Sequence, residues 1–76
     1  MKKIPIVSTV PSTVKAIKHA CKQSHFSIIS QQLHNYTEAL ATFRYEMPEI
    51  KIIDFGDPSI HAEKCLKAVK EDPWLL

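Results

Sequence analysis

Glycine is nearly absent from this chain: a single one, Gly56, stands among 76 residues. That excludes the glycine-rich loops that cradle phosphates, and collagen-like repeats with them. Long apolar runs are missing too. The longest is a few residues, far short of a bilayer span, and Met1-Lys2-Lys3 leads into a strand-like segment with no signal-peptide cleavage pattern. The expected compartment is the cytoplasm, with no membrane partner. Charge of one sign gathers nowhere. The formal net charge is +2 and the basic residues lie dispersed between acidic ones, so no block could track a phosphate backbone and nucleic acid is not expected. Cysteine is scarce. Cys21 and Cys65 lack the close spacing of a zinc or dithiol motif and read as reduced, packed thiols.

What is present is the composition of an ordered globular chain, 45% hydrophobic and 24% charged. The length suits one domain, residues 1–76, with a thin core. Ile4 to Val7 reads as a first strand, with Pro5 tolerated if its missing N–H falls where the strand is just starting. Ser12 can cap a helix over Thr13 to Ser24, in which Val14, Ile17 and Cys21 recur at helical spacing. Phe26 to Ile29 reads as a second strand and Gln31 to His34 as a connector. Asn35 with Glu38 three residues on resembles a capping box. It opens a helix with an apolar stripe of Tyr36, Ala39, Leu40, Phe43 and Met47, which Pro48 stops. Ile50 to Ile53 reads as a third strand running into the turn-rich Asp54-Phe55-Gly56-Asp57-Pro58-Ser59. Ser59 can cap a last helix with Ala62, Cys65, Leu66 and Val69 on one face, and Pro73 ends it. The order βαβαβα predicts a parallel sheet, and in such sheets ligands gather at the carboxyl ends of the strands.

Two stretches resemble a known family. Ile6-Val7-Ser8-Thr9-Val10-Pro11 looks like the first strand and following loop of bacterial response-regulator receiver domains, and the segment Pro48 to Pro58 looks like their phosphoacceptor strand. The spacing from Asp54 to Pro58 matches, so the resemblance assigns Asp54 to the phosphoacceptor position. It implies a partial flavodoxin-like fold with a three-stranded sheet of order 2-1-3, and a place in two-component phosphorelay signalling with a histidine kinase as partner. The family's acidic pair falls on Ser8 and Thr9, which are neutral hydroxyls. A hard cation such as Mg²⁺ seeks charged oxygen ligands, so magnesium binding is expected to be weak and phosphotransfer impaired. Asp57, three residues beyond Asp54, is the one candidate replacement ligand, set against the ordinary turn role of an Asp before Pro. No catalytic residue and no firm cofactor is assigned.

Other signals carry less. Asp54-Phe55-Gly56 spells a kinase metal-binding tripeptide, without the rest of a kinase. His61 and Cys65 share a helix face but supply only two ligands. His19, His25 and His34 are scattered, and Lys15, Lys18 and Lys22 read as a solvated helix face, with partner binding as the lesser option. The expectation is a receiver-like interaction module, not an enzyme. It would leave the third strand as an open edge and one sheet face covered only by the first helix, which invites self-association through Ile50, Ile52 and Ile53, most simply as a dimer. Two alternatives stand beside it. One is the N-terminal part of a longer regulator phosphorylated at Asp54, in which Trp74-Leu75-Leu76 approaches a further strand. The other is a magnesium-dependent phosphotransfer enzyme using Asp54 and Asp57.

Overall fold

The computed structural model describes residues 2–24 and 27–75. In chain order the elements are β1 (Lys2–Val7), α1 (Pro11–Lys22), β2 (Ile28–Leu33), α2 (Tyr36–Glu46), β3 (Ile52–Ile53), a 3-10 turn (Pro58–Ile60) and α3 (Ala62–Glu71). The strands form one parallel sheet in the order β2-β1-β3, so the expected βαβαβα arrangement and 2-1-3 order are both present. No helix among the described residues is long and apolar enough to cross a membrane.

β1 is the central strand and is buried from Ile4 to Val7, which is why its apolar residues run on without alternating. Val7 meets Leu33, Ala39, Phe43, Ile60, Ala62, Cys65, Val69 and Leu75 in the main core, beneath α2 and α3. Alternation turns Ile4 and Ile6 to the other face. There Val14 is the one buried residue of α1, while Ile17 and Cys21 are half-buried. That face is the thinner of the two.

Pro5 explains the length of β3. The β1–β3 ladder pairs Ile6 with Ile52 and Val7 with Ile53, and the Asp54 amide donates to the Val7 carbonyl at 3.1 Å. One step back, this register sets Pro5 opposite Lys51, where a residue with an N–H would donate to the Ile50 carbonyl. Proline has none to give, so the expected strand Ile50–Ile53 shrinks to two residues. Toward β2 the ladder is continuous, because the even-numbered amides of β1 point that way: Lys2 donates to the Ser27 carbonyl and Ser8 to that of Leu33.

Other boundaries moved for local reasons. β2 takes in Gln31, Gln32 and Leu33, the expected connector, because pairing with Pro5, Ile6 and Val7 outweighs the low strand preference of glutamine. Phe26, the expected start of that strand, lies outside the described residues. α1 begins two residues early, with Pro11 in its first turn and Val10 as N-cap. Ser12 is therefore not its cap. The capping of α2 is as expected: the Asn35 side chain accepts from the Glu38 amide at 2.8 Å. Its apolar stripe loses Met47, which leaves the helix in the left-handed region (φ 48°) and is 54% exposed. α3 starts at Ala62 rather than after Ser59, because Asp57 takes the Ser59 amide into a 3-10 turn and His61 (φ 52°) resets the chain direction. Beyond α3, Leu75 returns to the main core, and the Lys51 ammonium reaches the carbonyls of Pro48 (3.1 Å) and Leu75 (3.3 Å).

Candidate functional site at the carboxyl ends of the strands

β1 ends at Val7 and β3 at Ile53, side by side, so the loops that follow them emerge together. This brings Ser8 and Thr9 against Asp54 and Asp57. The Ser8 side chain is fully buried; its hydroxyl donates to Asp54 Oδ2 at 2.8 Å and accepts from the Val10 amide at 3.1 Å. The Gly56 amide donates to Asp54 Oδ1 at 2.9 Å. Asp54 is half-buried, with one donor on each oxygen. A Cβ on Gly56 would stand 3.2 Å from Asp54 Oδ1, so the lone glycine permits the turn to close on that carboxylate.

Asp57 is more heavily committed. Its Oδ2 receives the Thr9 amide and the Thr9 hydroxyl, both at 2.6 Å. Its Oδ1 receives the Ser59 amide at 3.0 Å and the Ser59 hydroxyl at 2.7 Å. The two hydroxyls also lie 2.9 Å apart, so two protons serve three O···O contacts and the carboxylate always keeps at least one of them. The hydroxyl of Thr9 is the first cause that holds the Asp57 carboxyl well below the usual carboxylate range, followed by the hydroxyl of Ser59 and the amide of Thr9. Burial of the residue, which is 4% exposed, pushes the other way and is outweighed by these hydrogen bonds. On the far side, Gln32 Nε2 donates to the Ser8 carbonyl at 2.9 Å and ties β2 to the same loop.

The four site residues expected from the sequence thus converge, as two pairs: Ser8 with Asp54, and Thr9 with Asp57. Asp54 and Asp57 share a turn, the Asp57 amide donating to the Asp54 carbonyl at 3.2 Å, but their carboxylates serve different partners. Magnesium needs several charged or strongly polar oxygens facing one point. This set offers one half-committed carboxylate beside neutral hydroxyls, and the second carboxylate is filled by protein donors, so the residues do not fit that cation. Among the described residues, no group of three His, Cys, Asp or Glu could hold a metal. Protein-family models, curated proteins and solved structures yield no match to this chain.

Three contributors escaped the sequence reading. Ser59 was expected to cap a helix and instead clamps Asp57; the Asp-Pro-Ser order, an Asx-turn pattern, carried that information. Gly56 and Gln32 had no such signal, since their roles depend on which loops meet. His61 is exposed with its ring edge-on to Tyr36 at 5.7 Å, and Cys65 is buried, so that pair points to packing. A larger groove, about 920 Å³, opens at the opposite end of the sheet between Lys2, Ile4, Ile29, Met47 and Ile50. None of the strand-end polar residues lines it.

Proposed function

We propose that this chain is a cytoplasmic receiver-like module of two-component signalling that acts through protein–protein contact, with the phosphoacceptor role of Asp54 impaired and no catalysis of its own. The observation that carries this reading is the Ser8 hydroxyl on Asp54 Oδ2 at 2.8 Å. Where the resembled family needs acids to gather a cation, this chain has a neutral donor that already occupies the carboxylate, and Asp57 is saturated by Thr9 and Ser59. A phosphoryl group on Asp54 would arrive with no cation to offset its charge.

Self-association is part of the proposal. Among the described residues β3 is an edge strand of the sheet, and Ile50, 46% exposed, stands beside that edge. Because the paired length is short, backbone addition supplies few hydrogen bonds, and Ile50 with Ile52 and Ile53 must supply apolar contact. A histidine kinase is a further partner under the same reading.

The test is an amide NMR titration with Mg²⁺ and beryllofluoride, using Asp54→Asn as the control. The expected result is no saturable shift around Asp54. Saturable shifts in the wild type that vanish in the variant would overturn the impaired-acceptor reading. Sedimentation velocity addresses self-association; a clean monomer at several hundred micromolar would remove that part.

A further inference from the structure

Helix α1 differs from the other two helices in its charge. Lys15, Lys18 and Lys22 follow one another at three- and four-residue spacing, with His19 four residues after Lys15 and three before Lys22, which sets them along one side of the helix, and α1 contains no Asp or Glu. With Pro11, Val14 and Gln32 they line a groove of about 440 Å³ between α1 and β2. The other lysines and the arginine among the described residues have acidic company, except Lys51, whose ammonium is taken up by the carbonyls of Pro48 and Leu75. Lys2 pairs with Glu49, Lys3 with Glu46 and Arg44 with Asp72, while the lysines of α3 share their helix with Glu63 and Glu71. The side chains of Lys15, Lys18, His19 and Lys22 make no ion pair or hydrogen bond with any described residue. Without α1, the chain's balance of +2 would turn slightly negative.

The plain account is that cations in a last turn suit the negative end of the helix dipole. It covers His19 and Lys22 and leaves Lys15 and Lys18, nearer the middle, without a reason. It also leaves the groove. The stripe spans two helical turns, roughly 10 Å at 1.5 Å per residue. That is the reach of about three residues of extended chain, and too short to follow several phosphates of a nucleic-acid backbone. Lysine offers point charges rather than the planar fork suited to phosphate. Pro11, exposed one turn before Lys15, adds apolar surface at the end of the stripe, and the buried Val14 floors the groove beside it.

We propose that the α1–β2 groove docks a short acidic segment of another protein, its carboxylates on Lys15, Lys18 and Lys22 and an apolar side chain against the exposed Pro11. The inference rests on the reading of the chain as an interaction module and names the chemistry of one partner. It concerns the β2 side of the sheet, whereas self-association concerns β3 at the opposite edge, so the failure of either leaves the other intact.

The experiment is an amide NMR titration of the intact chain with a synthetic Glu- and Asp-rich dodecapeptide carrying one central Leu, at about 50 mM and about 300 mM salt. Saturable shifts confined to α1 and Gln32, weakened by salt, are expected. The triple variant Lys15→Glu/Lys18→Glu/Lys22→Glu should bind at least tenfold more weakly, on the order of 1.4 kcal/mol or more. The triple variant Lys64→Glu/Lys67→Glu/Lys70→Glu changes net charge equally on α3 and should bind within about twofold of wild type, since those lysines lie outside the groove. Absence of saturable shifts, equal loss in both variants, or tighter binding of duplex DNA or phosphatidylserine vesicles to the same residues would each overturn the proposal.

Discussion

The two ends of the sheet are held together in different ways. At the carboxyl end, short side chains and backbone amides lock the loop after β1 to the loop after β3: Ser8 on Asp54, and Thr9 with Ser59 on Asp57. At the amino end Pro5 breaks the β1–β3 ladder. There, among the described residues, two lysine–glutamate pairs tie β1 to the chain that leads into β3, Lys2 to Glu49 and Lys3 to Glu46, with long and partly exposed side chains. Short side chains such as those of Ser8, Thr9 and Ser59 lose little rotamer entropy on pairing, and Ser8 is also buried from competing water, whereas long exposed pairs lose more and are screened. The strand-end clamp should therefore be stiff, and the other end should open first.

Substitutions can break this contrast, and removing Asp57 should do so most severely. Asp57→Ala strands the Thr9 and Ser59 donors and should lower Tm by more than about 5 °C by circular dichroism. The same carboxylate sets an acid response. Its folded pKa is depressed, so its contribution is complete above the unfolded value near pH 4 and is lost only as pH falls toward the lower folded value. The Thr9 and Ser59 amide resonances should hold their positions down to about pH 3 and lose this acid dependence in Asp57→Asn.

Ser8→Asp should come next. It sets two carboxylates where a hydrogen bond now lies, and should cost about 2 kcal/mol in urea denaturation without divalent cation. Millimolar Mg²⁺ should restore most of that loss. A variant as stable as wild type in chelator would show that the clamp does not depend on the neutral hydroxyl. At the other end, Lys3→Ala should cost only about 0.5 kcal/mol and less at high salt, because half of the lysine side chain is exposed. Smallest in free energy is Pro5→Val, which restores an N–H toward the Ile50 carbonyl but gives up the stiffness of proline. The net change should stay within about 0.5 kcal/mol. Its signature is slow hydrogen exchange at residue 5, as β3 lengthens and the two ends become alike.

Much of this was legible in the sequence where the controlling interaction is local. Asn35 and Glu38 announced the start of α2, and the apolar stripes of α2 and α3 located the main core. Alternation of strands and helices predicted the parallel sheet, and it was the family resemblance that set Ser8 and Thr9 with Asp54, Asp57 following on the same loop. What could not be read depends on partners distant in the chain. Gln31 and Gln32 form strand because β1 lies beside them, and Ile50 fails to do so because the residue facing its carbonyl is a proline 45 positions earlier. Met47 keeps its helical spacing but turns outward, since the left-handed step before Pro48 breaks the periodicity on which the stripe relied.

The two cysteines sit in very different surroundings. Cys65 is fully enclosed in the main core and burial pushes its thiol up, whereas Cys21 is half-buried on α1. Because the thiolate is the reacting form, an alkylating reagent should modify Cys21 in the folded protein and reach Cys65 only when the core comes apart. One chain therefore carries both a handle for a fluorophore near the α1 groove and an internal clock for global opening, read by mass spectrometry from successive single and double adducts.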